Sequence, residues 1–306
     1  MIGISLDRKR LASLLFPTCV LFILFVPAPA RGDLSSKEAR NLIAKAGGMS
    51  LPSSSVRVKK PVMLQSTLAE VAADIDLVFR IAQEPSGVWR LKELRTGEGR
   101  WEKLEVIARA SGAELPPGNC DNRDQFQRRV EGDLTARAAR CLIASLFGVE
   151  LPSDDVRIKS VSGFGLPLAS APSAIAAAQV RVYVHVMKDR SGWQLHALKS
   201  GSRDWTPLHT TLSAIAAIKS DLARDEMKTI AVALEKFRQE RGGFVISDQL
   251  SVLIDHLSPR FLARVIRLDP WENPYEYDGT RDRFTVRSAG PDGNLNTADD
   301  VVFSVP

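Results

Sequence analysis

Leu268-Asp-Pro-Trp-Glu-Asn-Pro-Tyr-Glu-Tyr277 and Arg287-Ser-Ala-Gly-Pro-Asp-Gly-Asn-Leu-Asn-Thr-Ala-Asp-Asp-Val301 decide how this chain is read. The second stretch packs three carboxylates (Asp292, Asp299, Asp300) and two amides (Asn294, Asn296) into nine residues. Such a loop repels itself unless a cation or solvent screens it. Hard cations such as calcium take six to eight oxygen ligands from flexible, carboxylate-rich loops. The spacing is not that of an EF-hand: Thr297 stands where that loop needs glycine, and Phe303 where it needs a bidentate glutamate.

The residues before these stretches give them a setting. A helix-friendly segment runs from Pro207 to Arg241 and stops at Gly242-Gly243. Met227, Ile230, Leu234 and Phe237 recur at helical spacing, widened by Ala231. Leu250 to Leu257 read as a second, short helix. Tyr275-Glu-Tyr277 and Phe284-Thr-Val286 alternate as a hairpin around Asp278-Gly279.

From roughly residue 219 to 306, this tail resembles the C-terminal domain of the major, G-type pseudopilin of type II secretion systems. In that family a DPWGNPY-type turn precedes a calcium loop of the GxDG…DD kind. Ala233 to Phe244 match the solvent-side half of the long pilin helix, and Leu257-Ser-Pro-Arg-Phe-Leu262 matches an L-x-P-x-Y/F-L segment. The resemblance implies that the side chains of Asp292 and of Asp299 or Asp300 bind calcium, with backbone carbonyls and Asn294 or Asn296 completing the shell. The residues alone leave open an acidic surface turn without an ion. Glu272 departs from the family, standing at its usual glycine. A prepilin-peptidase site, with its glutamate opening a long apolar helix, does not precede the pilin-like segment, so polymerisation by that route is not expected.

Upstream lies a duplication. Residues 32–59 recur at 132–159 without a gap. Ala39-Arg40-Asn41-Leu42-Ile43-Ala44 returns as Ala139-Arg140-Cys141-Leu142-Ile143-Ala144, and Leu51-Pro52-Ser53 as Leu151-Pro152-Ser153. Trp89, Leu91, Leu94, Gly97 and Trp101 then match Trp193, Leu195, Leu198, Gly201 and Trp205 at a second offset. Two copies fall short of a solenoid and read as paired modules.

Each copy opens on a helix with one apolar face: Ala39, Leu42, Ile43 and Ala46 in the first, Ala139, Leu142, Ile143 and Leu146 in the second. Ser35 and Thr135 stand as N-caps. Three strands follow in each copy. In the first, Val56 and Val58 alternate with charges, as do Ile75, Leu77, Phe79 and Ile81, and Trp89 and Leu91 follow a Pro85-Ser86-Gly87 turn. In the second, Val180 to Val186 form the long strand. The pattern is similar to cystatin-like or nuclear-transport-factor-2-like half-modules, a likeness of layers that implies no function.

The fold class is therefore α+β: two duplicated helix-plus-antiparallel-meander modules (33–115 and 133–206), a linker (116–132), and a long helix leading into a small pilin-like α+β unit (207–306). The first 30 residues read as a secretory signal. Arg8-Lys9-Arg10 precede an apolar run from Leu11 to Val26, and Ala28-Pro29-Ala30 offers a cleavage site near Ala30. The run is short of the roughly 20 residues a spanning helix needs. An exported chain permits a disulfide between Cys120 and Cys141, contributing about 3 kcal/mol by chain entropy.

The net charge of +5 is scattered, which speaks against a nucleic-acid partner. No Gly-x-Ser-x-Gly elbow, phosphate loop, Cys-x-x-Cys pair or His-Glu-x-x-His helix occurs, so no enzyme and no small-molecule substrate are expected. His185 and His196 read as half-buried strand residues rather than a cross-strand metal pair. Trp89 and Trp193 read as core residues, or less readily as the lining of a ligand pocket. The expectation is a periplasmic or secreted structural or assembly protein with calcium as its cofactor and secretion or envelope proteins as partners. It would contact a membrane only if the N-terminal segment stays uncleaved. The alternative is a periplasmic ligand- or peptide-binding protein that uses the duplicated modules.

Overall fold

The computed structural model describes residues 33–116, 134–164 and 172–305. The expected signal segment and Cys120 lie outside them.

The first copy runs α1 (Ser36–Ala44), β1 (Val56–Val58), β2 (Val62–Gln65), β3 (Leu68–Gln83), β4 (Trp89–Arg95), β5 (Trp101–Lys103) and α2 (Leu104–Ser111). The second runs α3 (Ala136–Leu146), β6 (Val156–Phe164), β7 (Ser173–Asp189), β8 (Gly192–Lys199), β9 (Thr206–Pro207) and α4 (Leu208–Arg241). Each opening helix is capped as its sequence requires. Ser35 Oγ accepts from the Glu38 N–H at 3.1 Å, and Thr135 Oγ1 from the Ala138 N–H at 3.1 Å.

The copies contain more strands than the three expected. β1 and β2 are one edge strand interrupted near Pro61, which has no N–H to give a ladder; β6 runs through the equivalent place with only a bulge. β5 and β9 have three and two residues, too few to leave a period-two signature.

All nine strands form one sheet, in the order β5-β4-β3-β7-β8-β9, with β1 and β2 on β3 and β6 on β7. The register shows how the copies are related. Val56 pairs with Ile75 in the first copy, and Val156 with Val180 in the second. Ile75 and Val180, equivalent by that pairing, then face each other across β3 and β7. Two equivalent residues meet in this way only about a local two-fold axis, so the tandem is the intrachain counterpart of a two-fold dimer.

One face of the long central strands β3 and β7 is buried. Val71, Ile75, Phe79 and Ile81 of β3 join Val180, Val182, Val184 and Val186 of β7 in a single core with α1 and α3. Each opening helix also reaches the other copy's meander, α1 touching β8 and α3 touching β4. The Phe147 ring, just past α3, meets Phe79 edge-on at 6.2 Å. Trp89 and Trp193 are core residues, each 7% exposed.

The helices after β5 and β9 are also equivalent, and they pack on each other. α2 stops because Gly112 takes a left-handed φ of 66° as its C-cap. The corresponding position of the second copy is Ala216, a strong helix former, and the helix continues. α4 therefore reaches 34 residues, about 50 Å at 1.5 Å per residue. It ends where Gly242 (φ 79°) donates its N–H to Arg238 O at 2.7 Å.

The second half of α4 belongs to a separate core. Ala223, Met227, Ile230 and Leu234 pack against Leu253, Ile254 and Leu257 of α5 (Leu250–Leu257) and a three-stranded sheet. That sheet orders β10 (Glu276–Gly279), β11 (Phe284–Ser288) and β12 (Val301–Val305). The helical stripe falls where its spacing predicts, with Phe237 and Ala231 at its margin. The hairpin turn does not. Asp278 and Gly279 are strand residues paired with Thr285 and Phe284, and the turn is closed by the Thr280 N–H on Arg283 O. Gly279 serves a different need: a Cβ there would collide with the Tyr277 hydroxyl and Val245 O, which hydrogen-bond each other at 2.7 Å.

Candidate functional site

The site occupies the end of the headpiece, where the tryptophan–proline turn meets the acidic loop. Its anchor is Asp269, only 4% exposed. Asp269 Oδ1 accepts from the Trp271 N–H at 2.9 Å and the Asn273 N–H at 2.8 Å, folding the turn about one carboxylate. Its other oxygen accepts from the Ser288 hydroxyl at the end of β11. Ser288 Oγ in turn accepts from the Gly290 N–H at 3.2 Å, and Asn273 Nδ2 donates to Gly290 O at 2.9 Å. The two motifs, about 20 residues apart in sequence, are one hydrogen-bonded unit. Trp271 and Tyr275 fill the core beneath it. The Tyr275 hydroxyl donates to Glu226 of α4 at 2.8 Å, and burial raises its pKa far above the ordinary phenol value.

Beyond Gly290 the loop closes on itself. The Asp292 N–H donates to Asp299 Oδ2 at 3.2 Å, which joins the two ends. Asp292 Oδ1 accepts from the Asn294 N–H at 2.7 Å, and Asp300 Oδ2 from the Asn296 N–H at 2.8 Å. The Thr297 hydroxyl lies 2.7 Å from Asp299 Oδ1 and 3.2 Å from Asp300 Oδ1. The Thr297 hydrogen bond, aided by the Asp292 N–H, holds the Asp299 carboxyl below its ordinary pKa of 3.8. Gly290 (φ 62°) lies against this closure, and a Cβ there would collide with the Asp299 backbone. Asn296, at φ 66°, takes the left-handed conformation that asparagine tolerates.

The structure thus brings Asp292, Asn294, Asp299 and Asp300 into one loop. It does so through N–H and O–H donors of the loop, which engage both oxygens of Asp299 and of Asp300. Among the described residues, no group of three or more His, Cys, Asp or Glu is disposed to hold a metal ion. In kind, the donor set fits a hard cation: every side chain gathered in the loop offers oxygen. The His185 ring stacks on Trp205 at 3.5 Å, with Glu70 3.5 Å from Nε2.

Sequence reasoning missed the linking residues. Asp269, Asn273 and Ser288 carry no periodic signal. The one available cue was Glu272, standing where the resemblance places glycine. Its φ is 69°, so the position keeps a glycine-like conformation, and its Oε1 accepts from the Trp101 N–H of β5 at 3.2 Å.

Residues 211–303 match the family described as type II secretion system (T2SS), protein G. The C-terminal region therefore carries a pseudopilin-type domain, which supports a structural or assembly role related to type II secretion. The match begins inside the first turns of α4, so the pilin-type helix and the closing helix of the second copy are one element. No curated protein and no solved structure matches the chain.

Proposed function

We propose that this chain is a non-enzymatic, extracytoplasmic structural or assembly protein of a type II secretion apparatus, with a calcium-stabilised headpiece. The carrying observation is the Asp269–Ser288–Gly290–Asn273 network, which joins both family motifs in one unit within the matching region. An oxidising compartment suits Cys141, which is disulfide-bonded. Among the described residues no helix is long and apolar enough to cross a membrane. Protein partners from the secretion or envelope machinery are the expected associates.

Asp292, Asn294, Asp299 and Asp300 would hold the calcium ion with backbone carbonyls of the loop. The ion supplies charge neutralisation. The chain's own residues preform the loop: Gly290 allows the close approach, Thr297 orients the paired carboxylates, and Asp269 fixes the loop's base. The test is thermal unfolding in calcium and in chelator. Calcium at 100 times its dissociation constant adds about 2.7 kcal/mol. Equal melts in the two conditions would refute calcium binding.

The binding-protein reading retains one observation in its favour, a surface groove of 580 Å³ between α1 and β8 lined by Lys37, Glu38, Asn41, Lys45 and Gln194. It does not lie beneath the buried Trp89 or Trp193. Isothermal titration with small anions and peptides would show whether the groove is used.

A further inference from the structure

The first half of α4 does not stand free. It packs on α2 of the first copy and touches β8 and β9 of the second. Near its start, a Cβ on Gly47, in the turn after α1, would lie 2.7 Å from Leu212 Cδ2. Lys219, at the middle of this contact, is 6% exposed. Its Nζ lies 2.6 Å from Oε2 of Glu102, a half-buried residue of β5. An ammonium so thoroughly removed from water is tolerated only with its counter-charge in place. The neighbouring β5 residue, Trp101, gives its N–H to Glu272 of the headpiece turn. Two adjacent residues of one short strand are thus held from two places about 50 residues apart in the pseudopilin-type region, one on the first half of α4 and one in the headpiece turn.

Glu272 makes the second contact against its conformational preference. A left-handed φ costs a non-glycine residue on the order of 1 kcal/mol, which glycine would not incur. The residue is exposed, so core packing does not account for it. Its hydrogen bond to Trp101 is what a glycine could not make.

We propose that Lys219 and Glu272 form a two-point clasp on β5, through Glu102 and the Trp101 N–H, that locks the pseudopilin-type headpiece onto the first repeat copy. The headpiece continues from the second copy through α4. The clasp adds the first copy and makes tandem and headpiece move as one body.

The test uses the full chain. In Glu272→Gly the turn keeps its conformation and Asp269 keeps its bonds to Trp271 and Asn273, but the Trp101 amide loses its acceptor. Hydrogen exchange of Trp101 should quicken about tenfold, the equivalent of one charge-assisted hydrogen bond, while Trp271 and Asn273 keep their protection. Glu272→Gln retains an acceptor and should fall between. Lys219→Met, of similar reach without the charge, should also quicken exchange in the turn at 269–273, since the two contacts share one interface. Unchanged Trp101 exchange in Glu272→Gly would overturn the proposal, as would a Lys219→Met effect confined to α4. A global loss of protection in Glu272→Gly would overturn it too, by showing that the residue supports the fold rather than the clasp.

Discussion

Replacing Asp269 by alanine probes the joint between the two motifs directly. The substitution removes the acceptor of three hydrogen bonds, from the Trp271 and Asn273 N–H groups and the Ser288 hydroxyl. Hydrogen bonds to a charged group are each worth roughly 1.5–3 kcal/mol, and a donor left buried and unpaired costs about as much. The full sum overstates the loss, because the turn can open to water and Ser288 can rotate. The expected cost of Asp269→Ala is therefore about 3–5 kcal/mol of headpiece stability. Asp269→Asn keeps the shape and can still accept from both N–H groups, so it should cost about 1–2 kcal/mol. Urea titration followed by hydrogen exchange across residues 269–300 reads both values, and the turn and the acidic loop should lose protection together. If the turn opens while the loop stays closed, or if alanine costs under about 1 kcal/mol, the single-unit reasoning fails.

Two further outcomes follow from the loop. Gly290→Ala adds a Cβ against the Asp299 backbone at a left-handed φ, so it should cost about 1–3 kcal/mol and free the Asp292 amide to exchange, as urea unfolding and amide exchange would show. Loop closure should also respond to acid. The folded pKa of Asp299 lies below its ordinary 3.8, so its contribution is fully present above that value and is lost as pH falls through the lower folded one. The Asp292 amide resonance should titrate below pH 3.8, and Thr297→Val should move that midpoint upward; a midpoint at or above 3.8 in the unaltered protein would count against the Thr297 bond.

Much of the architecture could be read before any coordinates. Helical stripes such as Met227-Ile230-Leu234 and caps such as Ser35 and Thr135 act within a few residues, so local sequence carries them. The duplication was visible because matching offsets need no structure to count. The pairing of β3 with β7 was not, since both strands alternate in the same way and either could have been an edge. The hairpin turn was misplaced because glycine at 279 makes room for the hydrogen bond between the Tyr277 hydroxyl and Val245 O, and Val245 lies far away in sequence. In the site, the acidic loop announced itself through composition, whereas Asp269, Asn273 and Ser288 are ordinary residues until their partners are in place.

Local order, then, belongs to the chain's own composition: the helices, the strands, the glycine that stops α2 and the alanine that lets α4 continue. Those effects are short-ranged, set by backbone conformation and by burial of one face. The joining of the copies about a two-fold axis, the seating of the headpiece on β5 and the anchoring of the acidic loop on Asp269 and Asn273 were decided in three dimensions. Each depends on a hydrogen bond or packing contact between residues far apart in sequence, and such partners exist only once the intervening chain has folded.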